Sequence, residues 1–73
     1  MRPWETASRK LIKQWIRDVA LSAEVFGDYD TWINSMMEEL GWSKEDCDEF
    51  LKIFHNRILT ASRYLDDWLS GVA

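Results

Sequence analysis

The 73-residue chain has one cysteine, one proline and three glycines. A single cysteine excludes an internal disulfide, so the fold does not depend on an oxidising compartment. So few prolines and glycines leave little room for loops. No apolar run approaches the roughly 20 residues of a membrane span. Arg9, Lys10 and Lys13 interrupt any signal-peptide pattern near the N-terminus. The expectation is a soluble cytoplasmic protein with no membrane partner. The one histidine, His55, lacks the neighbours for a catalytic triad or a metal site. There is no glycine-rich phosphate loop, and the consecutive carboxylates Glu38–Glu39 and Asp66–Asp67 diverge on a helix instead of facing each other. Neither an enzyme nor a bound cofactor or metal is expected.

What is present is aromatic mass and uneven charge. A chain of this length buries only roughly 60% of its unfolded surface, which makes stability marginal. Five tryptophans offset part of this, because each can bury on the order of 200 Å². The net charge is −4. Arg2, Arg9, Lys10, Lys13 and Arg17 make the first 17 residues basic, whereas residues 18–49 are rich in carboxylates and have Lys44 as their only base. Nucleic-acid binding depends on neutralising phosphates, so an acidic middle opposes it. The charges are expected to cover solvated helix faces.

The stretch GDYDTWINSMMEEL at 27–40 has acidic spacing that partly fits a calcium loop. Such a loop needs an oxygen ligand at position five and glycine at six. Counted from Asp28, those places hold Trp32 and Ile33, which supply neither. The alternative is a capped amphipathic helix. Gly27 ends the preceding helix, Asp28 is expected to cap the next, and Gly41 to stop it. Tyr29, Trp32, Ile33, Met36, Met37 and Leu40 then share one side.

Two further helices follow from periodicity. The first is expected over about 3–26, opened by Pro3, with Ile12, Ile16, Val19, Ala23 and Phe26 stepping by four and three and Leu11, Trp15 and Ala20 widening the stripe. The last is expected over about 44–70 and ended by Gly71. Ser43 is its N-cap, and Trp42 and Cys47 are placed as a hydrophobic staple. Its seam is Cys47, Leu51, Phe54, Ile58, Ala61, Leu65 and Trp68, flanked by Phe50 and Leu69. This is heptad spacing, as in helices packed at a shallow angle. The predicted architecture is an all-α, single three-helix domain with a short middle helix over 29–40 and a long C-terminal helix.

Large apolar residues remain off these stripes. Leu21 and Val25 project from the far side of the first helix, and Ile53, Leu59 and Tyr64 extend beyond the seam of the last. With Trp42, these are the residues expected to meet a partner. A contiguous exposed apolar patch marks an interface, and the simplest cover for it is a two-fold homodimer. Cys47 lies on the seam among carboxylates and is expected to be structural. Met36 and Met37 are expected to fill the core.

The segment EELGWSKEDCDEFL resembles the turn and second helix of helix-turn-helix DNA-binding domains, with Leu40, Gly41 and Ser43 matching the turn and Cys47 the apolar site after it. That likeness covers about 20 residues and implies a DNA-binding regulator. The residues that would read DNA are Lys44, Glu45, Asp46, Asp48 and Glu49, where readers of that family use Arg, Lys, Gln or Asn. The first function expected is therefore a small acidic interaction module, an inhibitor, adaptor or regulator of another protein. Compact acidic helical chains of this kind are similar in type to phage-encoded inhibitors of host machinery. A divergent DNA-binding regulator is the alternative.

Overall fold

The computed structural model describes residues 2–72, with backbone alone for residues 66 and 68–72. A 3-10 turn, Pro3–Glu5, precedes four α-helices: α1 (Arg9–Phe26), α2 (Asp30–Leu40), α3 (Lys44–Ile53) and α4 (His55–Val72). Among the described residues there is no strand. The all-α class is as predicted, but the element boundaries differ in four places.

The first helix does not begin at Pro3. Pro3–Glu5 closes a single 3-10 turn, in which the Arg2 amide donates to the Glu5 carboxylate at 2.8 Å. The chain restarts at Ser8, whose hydroxyl accepts from the Leu11 amide at 3.1 Å. Serine at an N-cap satisfies one of the orphan amides of the first turn. The detour turns Trp4 into the core, where it is 8% exposed.

Asp28 does not cap α2. That helix starts at Asp30, and its N-cap residue Tyr29 makes no side-chain cap bond. Asp28 instead offers its backbone carbonyl to the buried Ser22 hydroxyl at 3.0 Å. A serine buried in α1 must find an acceptor, and the loop carbonyl serves. Two of the three predicted glycine stops hold, and the third, Gly71, does not, because α4 runs through it to Val72. Gly27 (φ 76) ends α1 and Gly41 (φ 70) ends α2 in the left-handed region that favours glycine.

The long last helix is two helices. Phe54 (φ −99, ψ 17) separates α3 from α4. The amide ladder continues through the joint, with Phe54 N–H to Phe50 O at 3.0 Å and Ile58 N–H to Phe54 O at 2.9 Å. No proline or glycine stands there. The joint coincides with aromatic packing, since the Phe54 ring lies 4.6 Å from Phe50 and 6.3 Å from Trp4. Ser43 caps α3 as expected, accepting from the Asp46 amide at 3.1 Å. α4 continues past Gly71 to Val72. The side chains of Trp68 and Leu69, assigned to the seam and its flank, lie outside the described residues.

Phe50, predicted to flank the seam, is its centre. It is fully buried, and its ring contacts Trp4 (5.6 Å), Trp15 (6.2 Å), Trp32 (5.4 Å), Trp42 (5.7 Å) and Phe54 (4.6 Å). All five pairs are tilted or edge-to-face, and such aromatic pairs are worth about 0.5–1.5 kcal/mol each beyond burial. Val19, Cys47 and Ile58 complete the innermost layer. α1 supplies Trp15, Ile16, Val19 and Ala20 to this core, and its most extensive contact is with α4. The outer ends of the predicted stripes fall away from the core: Leu11, Phe26, Met37 and Leu40 are exposed. The molecule measures 41 × 22 × 18 Å.

Candidate functional site

Five of the six residues expected to meet a partner are exposed: Leu21, Val25, Ile53, Leu59 and Tyr64. Trp42 is not. It is 6% exposed, and its ring packs on Trp4, Trp15, Trp32 and Phe50. A ring used up by four aromatic neighbours has no face left for a partner, so Trp42 belongs to the core. The same holds for Trp4, Trp15 and Trp32, which are all buried.

The exposed residues are not randomly placed. Leu21 and Val25 share a groove between α1 and α2 with Phe26 and Leu40. The groove holds about 500 Å³ and is also lined by Trp15, Trp32 and Met36, with Asp18 and Glu39 as its charged residues among those described. Trp32 brings a further oddity, because its indole Nε1 is buried without a hydrogen-bond partner. Phe26 and Leu40 were assigned to inner stripes. Both stand at the last turn of their helices, where the next residue is the glycine stop, and there the core has already ended.

A second and larger groove, of about 1050 Å³, runs between α1 and α4. Ile12, Ile16, Ala61 and Leu65 line it, with Tyr64 beside them. Among the described residues its charged lining is Arg9, Lys13 and Arg17 from α1 and Arg57 from α4, with no carboxylate. Arg57 also stands 6.0 Å over the Phe54 ring. None of these four cations forms an ion pair among the described residues. One signal for the site was in the sequence, since Arg9, Lys13 and Arg17 recur every four residues and so share one side of a helix. Arg57 lies far along the chain and only the tertiary structure brings it near. Ile53 and Leu59 line neither groove.

Arg2 forms the clearest electrostatic contact elsewhere. Its guanidinium bridges Asp46, at 2.5 Å, and Glu49, tying the N-terminus to α3. Hydrogen bonding to Asp46 and the nearby charge of Glu49 hold Arg2 above its ordinary pKa. Cys47 has no exposed surface. Burial pushes its thiol pKa up, and the adjacent charges of Asp48 and Asp46 push the same way, so it is a poor nucleophile at neutral pH. Among the described residues no cluster of three metal-binding side chains forms, and no helix is long and apolar enough to cross a membrane.

Fold and surface together define a small all-α domain with two inter-helix grooves of opposite charge. No protein-family model, curated protein or solved structure matches the chain.

Proposed function

We propose that this chain is a small protein–protein interaction module, acting as an inhibitor, adaptor or regulator of a larger protein. The observation supporting this reading is the convergence of Leu21 (45% exposed), Val25 (60%), Phe26 (62%) and Leu40 (53%) on one groove. Scattered exposed aliphatics need no explanation, but a contiguous set of them marks a contact surface. None of these side chains belongs to the buried cluster around Phe50. The simplest cover is a second copy related by a two-fold axis.

The alternative, a DNA-binding regulator, draws its support from the turn at Gly41 and the Ser43 cap. Arg2 weighs against it, because that arginine is already paired with Asp46 and Glu49 on the helix that would enter the groove. Glu45 and Asp48 would still face phosphates there.

A photoreactive benzophenone residue at Val25, compared with one at Lys10, tests the proposal. After irradiation in purified protein and in extract of the native cell, the Val25 position should couple to one defined protein, either a second copy or a larger partner. Lys10, which lines neither groove, should not. Equal labelling from both positions, or none from Val25, would contradict an interface at this groove.

A further inference from the structure

We infer that the groove between α1 and α4 receives an acidic amphipathic helix of a partner protein. This rests on the reading of the chain as an interaction module, and it adds a second face and the chemistry that face accepts.

The charge pattern is the first argument. The chain carries a net charge of −4, yet among the described residues four cations and no carboxylate line this groove. A local excess of one sign, opposite to that of the whole molecule, is not a by-product of composition. Arg9, Lys13 and Arg17 lie four residues apart, so their Cα positions repeat every ~6 Å along α1. Carboxylates spaced i, i+4, i+8 on another helix repeat at the same interval. A helix lying along α1 therefore meets each cation with one carboxylate.

The floor is the second argument. Ile16 is buried, and Ile12, Ala61 and Leu65 are half-buried and still open to the groove. Apolar anchors spaced i, i+3, i+7 on a helix fit such a seat, as in other helix-in-groove complexes. Phosphates and sugars would leave that floor unmatched, and the carboxylates of α2 and α3 would repel a nucleic acid extending past the groove. Size is the third. At about 1050 Å³ the groove lies at the upper limit of small-molecule clefts, roughly 300–1,000 Å³. From Arg9 to Arg17 it offers ~12 Å of length, about two turns of a docked helix. Cations beside an apolar seat fix register and raise the association rate, while the buried anchors hold the complex.

The test is a titration of ¹⁵N-labelled protein with a short synthetic helix carrying leucines at i, i+3, i+7 and glutamates at i, i+4, i+8. Amide shifts should concentrate in Arg9–Arg17 and in residues 56–65. Lys13→Glu with Arg17→Glu should weaken binding at least about tenfold, a change of ~1.4 kcal/mol, whereas Val25→Gln should not alter it. Circular dichroism checks that the variants fold. If the double reversal does not, replacing the peptide's glutamates by lysines poses the same question without touching the protein, and that peptide should fail to bind. Equal binding of both peptides, or no shifts in these segments, overturns the assignment. So does a single-stranded oligonucleotide that shifts the same amides at lower concentration and is released steeply by salt. Shifts gathered instead around Leu21 and Leu40 would overturn this occupant while leaving the interaction-module reading intact.

Discussion

The region around Phe50 and the band along Leu21, Val25, Phe26 and Leu40 use apolar side chains in opposite ways. In the first, Phe50 is fully buried and Trp4, Trp15, Trp32 and Trp42 are each less than a tenth exposed. Every one of those rings lies within contact of Phe50. In the second, side chains of comparable hydrophobicity stay about half exposed on the same helix, α1, and its neighbour α2. The lesson concerns division of labour. Tryptophan enrichment suggests interface anchors, since tryptophan is favoured at binding hot spots. Here the described tryptophans all serve the fold, and mainly aliphatic side chains are left for contact. A 73-residue chain gains more core per residue from large rings than from leucines, which leaves its leucines free.

The comparison breaks most readily at its centre. Phe50→Ala removes the ring that all the others touch, at a cost of about 3–5 kcal/mol. A domain of this size has roughly 4–11 kcal/mol in total, at ~0.05–0.15 kcal/mol per residue. Thermal circular dichroism should therefore show loss of most or all cooperative melting. Phe54→Ala, at a half-buried position, should cost less. The reverse order would move the hub from Phe50 to Phe54.

The outer region can be sharpened by mass. Sedimentation equilibrium should show a dimer at micromolar concentration, and Val25→Glu should split it while helicity persists, because the charge is buried only in the dimer. A wild-type monomer at hundreds of micromolar would remove self-association and leave the surface to a different protein.

Smaller effects lie at the helix ends that join the two regions. Gly41→Ala places a Cβ where nothing stands within 4 Å, so its cost is purely that of a left-handed backbone, about 1–2 kcal/mol. Ser43→Ala loses the cap to the Asp46 amide, about 1 kcal/mol. For a domain of this length each kcal/mol moves the melting point by about 4–8 °C, which calorimetry resolves.

Smaller again is the pH response of Cys47. Its thiol pKa is raised in the folded state, so folding favours the protonated form. That contribution is whole below the unfolded thiol's pKa of about 8.5 and is lost as pH rises from there through the folded value. Above about pH 8.5 the melting temperature should fall more steeply in the wild type than in Cys47→Ala. Equal slopes would mean that the thiol is not held dry.

Much of this was legible in the sequence where the cause is local. The αL glycines 27 and 41, the Ser43 cap and the four-three periodicity of α1 each depend on neighbours a turn away, and all were readable. The Asp28 cap was misread because Ser22, six residues earlier, captures that loop through its backbone carbonyl. The break at Phe54 carries no glycine or proline and coincides with rings brought from elsewhere in the chain. Pro3 predicts a start that the structure replaces with the Ser8 cap, because Pro3–Glu5 closes a separate turn that carries Trp4 into the core. The oppositely charged grooves required α1 to lie against α4 and α2, which no local pattern specifies. The burial of Trp42 likewise depends on three other tryptophans converging.

The central claim is that the aliphatic band is surplus to folding. Leu21→Gln with Val25→Gln tests it most directly, since glutamine keeps helix propensity and changes no charge. At low micromolar concentration the double variant should melt cooperatively within about 5 °C of the parent, as surface substitutions do. A loss of stability approaching that of Phe50→Ala would show that these side chains belong to the core, and the account of them as a contact surface would fall.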